Sequence, residues 1–294
     1  MYAFDYVAAH TVHEATALLS QDDCRVFVLA GGTDLLTQMR ENRRVVDLVV
    51  DVKQIPELSE LTYDPVEGLS IGAAVSCLRI WNDPLIAENY PGLIDAVRLI
   101  GGIQIQGRAT LGGNLVNASP AADSIPALIV HEAVCEVARA AGTRTVPVES
   151  FCLAPGKTVL QKGEFLVRLR IKPPRKGFGA HYLRFIPRNE MDIAVVGAGA
   201  SVDLDDAGTH FRAARVALGA VAPLPLFVPG VSEYLAGEAV SDEVIEQAAQ
   251  IAARAATPIS DVRGTAAQRK HLAAVLTRRA LQGACQRARQ SLEN

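Results

Sequence analysis

Apolar and polar positions along the chain fall into runs that predict a mixed succession of strands and helices. Thr11-Val12-His13-Glu14 is a capping-box pattern, and Ala15, Leu18 and Leu19 follow it at helical spacing. The apolar run Arg25-Val26-Phe27-Val28-Leu29-Ala30 suits a buried strand and ends in Gly31-Gly32-Thr33-Asp34. A helix from Leu35 to Glu41 and a strand from Val45 to Val52 complete a β-loop-α-β unit. From Leu58 to Pro173 the pattern predicts a strand at Leu69 to Ala74 and helices at Leu78 to Glu88 and Leu93 to Ile100. A glycine-rich passage from Gly101 to Asn114, a helix over Ala121 to His131, and hairpins turning at Ala141-Gly142 and Lys162-Gly163 follow.

Pro173-Pro174-Arg175-Lys176-Gly177 is the strongest linker signal in the chain. Beyond it come strands at His181 to Ile186, Ile193 to Leu204 and Ala213 to Ala220, then helices at Asp242 to Ala256 and Thr265 to Gln286. Strands grouped first and helices afterwards indicate an α+β unit. The expected organisation is therefore three units, at residues 1–57, 58–174 and 178–286.

Composition narrows the function classes. With 49% hydrophobic and 21% charged residues the chain is globular, and 294 residues exceed what one compact core usually takes. A net charge of −3 and only 5% aromatic residues argue against nucleic acid as a partner. The longest uncharged stretch, Val216 to Ser232, carries three prolines and is shorter than the ~20 residues of a membrane span. Met1 to Asp5 shows neither a basic region nor an apolar core, so a cytoplasmic location is expected. The five cysteines are dispersed with no C-x-x-C, and the six histidines form no H-E-x-x-H or H-x-H; any metal centre is expected on another chain.

Three loops carry candidate chemistry. Consecutive glycines at 31 and 32, directly after a buried strand, let backbone N–H groups converge on an anion, although an ordinary tight turn uses the same residues. The second loop, Thr110 to Asp123, holds Gly112-Gly113 and then Asn114, Asn117, Ser119 and Asp123. That inventory of donors and acceptors suits a ligand with phosphates, hydroxyls and ring amides; a capped turn explains Ser119 and Pro120 but not Gly112, Gly113 and Asn114. The third, Arg184 to Ile193, reads as a solvated hairpin edge. Val195-Val196-Gly197-Ala198-Gly199-Ala200-Ser201-Val202 begins like G-x-G-x-x-G, but Val202 stands at the third glycine position and strand alternation follows, so a nicotinamide-binding Rossmann site is rejected. The basic tail, with Arg263, Arg269, Lys270, Arg278, Arg279, Arg287 and Arg289, reads either as a solvated helix face or as a docking surface.

Four motifs together, "LAGGTDL", "TLGGNLVNASPAADSIPAL", "FIPRNEMDIA" and "PISDVRGTAAQRKHLAAVL", resemble the FAD-binding medium subunit of the xanthine dehydrogenase and molybdenum hydroxylase family, and also carbon monoxide dehydrogenase medium subunits. The resemblance runs from about Tyr6 to Gln286. It implies a flavin fold of the vanillyl-alcohol-oxidase (PCMH) type in two subdomains, then a C-terminal domain of three-stranded antiparallel sheet plus helices. By similarity, Val28, Leu29, Ala30, Gly31, Gly32, Thr33, Asp34 and Leu35 would wrap the FAD pyrophosphate. Thr110, Leu111, Gly112, Gly113, Asn114, Ser119 and Asp123 would hold the rest, Ile100 and Leu166 would lie against its rings, and Arg184 matches a basic position near the flavin. No catalytic acid or base is implied.

The resemblance further implies an electron-transfer role. Iron–sulfur clusters on a small subunit and molybdopterin on a large subunit would feed electrons to the FAD, which passes them to NAD, a quinone or oxygen in a dimer of heterotrimers. The wording "GGTDL" and "ASPAAD" is nearer to relatives acting on xanthine or aromatic N-heterocycles. Neither glycine loop holds a histidine, so the FAD is expected to be non-covalent. No four cysteines lie close together, so the extra iron–sulfur centre of relatives that reduce hydroxybenzoyl-CoA is expected to be absent. The alternatives are a self-contained FAD oxidoreductase of the same fold and a scaffold that has lost its flavin.

Overall fold

The computed structural model describes residues 1–188 and 191–293. Its first sheet is parallel, with β1 (Asp5–Ala8), β2 (Val26–Leu29) and β3 (Leu48–Asp51) in the order β1-β3-β2. The helix Val12–Leu19 starts where Thr11 Oγ1 accepts the Glu14 N–H at 3.1 Å, and Glu14 reaches back to the His10 N–H at 2.8 Å, so the capping box forms. β3 is buried along its whole length, which is why Val45 to Val52 reads as apolar. β2 keeps one free edge.

The second sheet is antiparallel. Its strands β4 (Leu61–Asp64), β5 (Gly68–Gly72), β6 (Val134–Arg139), β7 (Gly142–Pro147) and β10 (Phe165–Ile171) run in the order β4-β5-β10-β6-β7. A separate small hairpin pairs β8 (Cys152–Ala154) with β9 (Lys157–Thr158). The short helices between β5 and β6 cover one face of this sheet, where Leu93, Leu111, Ile125 and Leu128 join Ile71, Val137 and Leu169 in the largest core. Phe165 and Val167 join Val50 and Val52 in a second core, so the two sheets meet there.

Two expectations are corrected here. The single helix expected over Leu78 to Glu88 is two, Cys77–Trp81 and Pro84–Asn89, because Pro84 lacks the N–H needed to continue and Asp83 caps the second helix. The turn at Lys162-Gly163 exists, with Gly163 at φ +78°, but it joins strands of different sheets and makes no hairpin. Val159 and Leu160 pack into the large core instead of pairing with β10.

The third sheet contains the three expected antiparallel strands, β11 (Phe178–Phe185), β12 (Val196–Leu204) and β13 (Phe211–Gly219). A fourth, β14 (Leu226–Phe227), is only two residues long and follows Pro225, too short to leave a period in the sequence. The G-x-G segment lies in strand from Val196 onward, as the alternation after it predicts. Its glycines serve packing: a Cβ on Gly197 would press the Tyr182 hydroxyl at 2.5 Å, and one on Gly199 would lie 3.0 Å from the Pro126 carbonyl oxygen.

The helix Ala266–Glu293 lies across this sheet, with Gly179 of β11 letting the backbone of Ala284 and Ala288 approach closely. Most of the basic tail is engaged within the chain. Arg269 is buried and donates to Val195 O, Ala220 O and Asp261; Arg287 forms a two-pronged pair with Asp95 at 2.5 and 3.0 Å; Arg289 donates to Gly208 O; and Arg278 lies 3.4 Å from Glu246. Arg287→Ala strands the partly buried Asp95 and is expected to lower stability by about 1–3 kcal/mol. Arg279→Ala, at an exposed position, is expected to stay within about 0.5 kcal/mol of wild type in the same denaturant titration. No helix among the described residues is long and apolar enough to cross a membrane.

Candidate functional site

Two glycine turns meet beyond the C-terminal end of β2. Gly31 lies against the second loop so closely that a Cβ would overlap the Arg108 carbonyl oxygen and stand 3.2 Å from Ala109 Cα. Gly32 takes φ +77°, a region open to glycine at little cost. Below the turn, Lys53 Nζ donates to Ala30 O at 3.3 Å and to Asp51 at 2.7 Å, and Tyr6 donates to the same Asp51 carboxylate at 2.6 Å. The turn is thus fixed from both sides.

The second loop is partly helical. Thr110 Oγ1 accepts the Gly113 N–H at 2.9 Å and caps the helix Leu111–Val116. Gly112 is pressed against Ala73, whose carbonyl oxygen would sit 2.6 Å from a new Cβ. Gly113 differs, because a Cβ there would meet only Thr110 Oγ1, at 2.8 Å. Asn114 Oδ1 accepts from Ser124 Oγ at 2.6 Å.

Between the turns lies a cavity of about 390 Å³. Of the residues singled out from the sequence, Val28, Ala30, Gly31, Gly32, Thr33, Asp34, Leu35, Ile100, Thr110, Gly112, Gly113, Asn114 and Leu166 line it. Leu29 and Leu111 turn into cores, and Ser119 accepts the Ala121 N–H at 3.3 Å outside the lining. Asp123 and Arg184 also lie outside it. The Asp123 carboxylate accepts from Arg184 Nη1 at 2.6 Å and from the Tyr182 hydroxyl at 2.8 Å, and Arg184 Nη1 also donates to Leu99 O at 2.9 Å. Burial pushes the Asp123 carboxyl up to about 6, against the opposing pull of Arg184 and Tyr182.

This network corrects the reading of Arg184 as part of a solvated edge. Its side chain is only 6% exposed, because the register of β11 turns it toward the second loop. Arg188 of the same segment does face outward and pairs with Asp192 at 3.2 Å, while residues 189 and 190 of the "FIPRNEMDIA" motif lie outside the described residues.

Asn117 of the second loop lines it too, and so do Gln38, Arg44, Thr158 and Glu164, which the motifs do not mark. Glu164 is neutralised by Arg144, at 2.8 and 2.7 Å, and that pairing lowers its pKa. The N–H groups of Gly31, Gly32, Thr33 and Asp34 donate to no backbone or side-chain acceptor among the described residues. Consecutive free amides around a cavity need a ligand or water to satisfy them, and an anion satisfies them best.

A cavity lined by two glycine turns, one of them carrying a row of free amides, defines a protein that encloses a phosphate-bearing cofactor. Comparison with known proteins agrees. Residues 2–174 match the family described as the FAD binding domain in molybdopterin dehydrogenase, and residues 181–284 match the CO dehydrogenase flavoprotein C-terminal domain. The chain is 29% identical to the xanthine dehydrogenase FAD-binding subunit of Escherichia coli, over 95% of this chain and 96% of that one. It is 31% identical to the carbon monoxide dehydrogenase medium chain of Hydrogenophaga pseudoflava, over 96% of each. The solved carbon monoxide dehydrogenase from the same organism, lacking the Mo-pyranopterin moiety, superposes with a TM-score of 0.92 at 30% identity, covering 97% of this chain and 98% of that one. The chain belongs to the family of FAD-binding subunits of molybdopterin-dependent dehydrogenases, and is an oxidoreductase flavoprotein.

The cradle fits FAD. A diphosphate is matched by the row of free amides at Gly31 to Asp34, and Gly113 leaves its cavity side open where any Cβ would intrude. The apolar lining by Val28, Ile100 and Leu166 suits ring systems.

Proposed function

We propose that this chain is the electron-transfer subunit of a cytoplasmic molybdenum hydroxylase, assembled with a small iron–sulfur subunit and a large molybdopterin subunit as a dimer of heterotrimers. The observation that carries the reading is the pairing of two glycine turns around one cavity with four consecutive unsatisfied amides. When bound, FAD accepts electrons from the partner's iron–sulfur clusters and releases them to NAD, a quinone or oxygen. The chain's own residues do the holding. Gly31, Gly32 and Thr33 present amides to the diphosphate, Thr110, Gly113 and Asn114 border the ribityl and flavin part, and Ile100 and Leu166 lie against its rings. Asp123 and Arg184 hold the second loop to the C-terminal sheet from behind the lining. Among the described residues no histidine, cysteine or tyrosine lines the cavity, which favours a non-covalent flavin.

The substrate would be set by the large subunit, and the loop wording favours xanthine or an aromatic N-heterocycle. The test compares the isolated chain with the assembled complex, each supplied with candidate N-heterocycles and a dye acceptor. Only the complex is expected to reduce dye. Acid precipitation of the isolated chain is expected to release FAD into the supernatant. Substrate-dependent dye reduction by the isolated chain, free of molybdenum and iron, would replace this reading with a self-contained oxidoreductase. A folded preparation that takes up no flavin would leave only the scaffold.

A further inference from the structure

The cavity is lined along β2 by Val26, Phe27 and Val28. The turn Ala30 to Asp34 lies at the C-terminal end of that strand, and Val26, Phe27 and Arg44 lie toward its N-terminal end. Ile100 also lines the cavity, next to Leu99, whose carbonyl accepts from Arg184 of the C-terminal sheet. The lining is therefore apolar at Ile100 and cationic at Arg44.

Arg44 is the anomaly at the outer end. Its guanidinium lies 4.8 Å from the centroid of the Phe27 ring, within the range of a cation–π contact. Its backbone N–H donates to Gln38 O, but among the described residues its guanidinium has no hydrogen-bond acceptor and no ion-pair partner. Three ionisable side chains line the cavity: Asp34, Glu164 and Arg44. Glu164 is already paired with Arg144, so Arg44 is the only cation that a dianionic ligand meets there among the described residues. An arginine seated over an aromatic ring keeps donors free for phosphate oxygens and ring edges.

We infer that Arg44, seated on Phe27, grips the adenylate half of FAD and makes the site select FAD over FMN. The inference rests on the reading that the isoalloxazine lies toward Ile100 and the diphosphate at Gly31 to Thr33. What remains of FAD beyond the diphosphate is the adenosine, which with the adjoining phosphate makes up the adenylate half, and the cavity lining continues along β2 to Phe27 and Arg44. FMN ends at its single phosphate and never reaches them.

The test is a fluorescence titration of the full-chain apoprotein with FAD and with FMN. Arg44→Met is expected to weaken FAD binding by at least about tenfold, the loss of a hydrogen bond to a charged group, and to leave FMN binding within about twofold. Phe27→Leu is expected to shift FAD binding in the same direction by less, since the guanidinium loses its platform. Thermal unfolding of the Arg44→Met apoprotein is expected to stay close to wild type, as the side chain has no internal hydrogen-bond or ion-pair partner and a single cation–π contact contributes little to stability. Unchanged FAD affinity, or equal losses for FAD and FMN, would reduce Arg44 to a surface cation. If wild-type apoprotein binds neither flavin, the reading of the cavity itself fails, and the failure does not depend on Arg44.

Discussion

Gly31→Ala is expected to remove the flavin and to destabilise the apoprotein by about 2–3 kcal/mol, whereas Gly113→Ala removes the flavin alone. The two glycines line the same cavity and are glycine for different reasons. A Cβ on Gly31 would overlap a backbone carbonyl, that of Arg108, and crowd the Arg108 carbonyl carbon at 2.9 Å. Backbone cannot rotate aside, so the two turns must separate, and overpacking of this kind falls at the upper end of its usual range. The cavity between the turns then loses its shape. A Cβ on Gly113 meets only the Thr110 hydroxyl, at 2.8 Å, in the middle of a short helix where alanine is preferred over glycine by about 1 kcal/mol. Its cost is therefore borne by the ligand, since Gly113 lines the cavity. The measurement is flavin content after gel filtration, beside denaturant unfolding of each apoprotein. If Gly31→Ala unfolds at the wild-type midpoint, the two turns are not packed as described. If Gly113→Ala keeps full flavin, that glycine serves only the turn.

This contrast also marks how far the sequence could be read. The glycine pairs and their place after a strand are local features, visible in the order of residues. That Gly31 touches Arg108 is a tertiary fact, and no spacing encodes it. The strand-and-helix succession is legible for the same local reason: β3 is buried throughout and lies in a mostly apolar run, and the end of β12 alternates apolar with polar residues. Pro84 is a visible break, although the apolar residues on either side of it keep helical spacing. The hairpin at Lys162-Gly163 failed because a turn glycine states that the chain reverses, not which sheet it joins.

Charged residues were the least legible. Arg184 reads as surface from its neighbours Pro187 and Arg188, yet the register of β11 buries it, and its partner Asp123 lies 61 residues away. Resemblance linked both residues to the cofactor, and the structure links them to each other. Arg269, Arg287 and Arg289 form part of what looked like one basic face, but each follows the helical rotation to a different acceptor. Arg44 carries no local signal at all; only the fold of the β2 edge brings it beside Phe27.

Arg184→Met is expected to cost about 3–5 kcal/mol at pH 8 and much less at pH 5. The pair is buried, with side chains 6% and 10% exposed, so removing the guanidinium leaves an uncompensated carboxylate between the second loop and the C-terminal sheet. The pH dependence follows from Asp123. Burial raises its carboxyl from the ordinary 3.8 to about 6, so between those values the native state holds a proton that the unfolded chain has released. The stability this group contributes is therefore complete below pH 4 and is lost as the pH rises through 6. At pH 5 Asp123 is mostly protonated in the wild type, and a neutral carboxyl that still accepts from Tyr182 loses little when Arg184 goes. Above pH 6 the wild type holds an ion pair, while the variant must either bury a lone charge or keep its proton at increasing cost. The difference in unfolding free energy between wild type and variant should thus widen with pH, starting near 6. Denaturant titrations at pH 5, 6, 7 and 8 measure it directly. A difference that is the same at pH 5 and pH 8 would mean that Asp123 does not titrate in this range, and one below about 1 kcal/mol at pH 8 would mean that the pair does not hold the loop to the sheet.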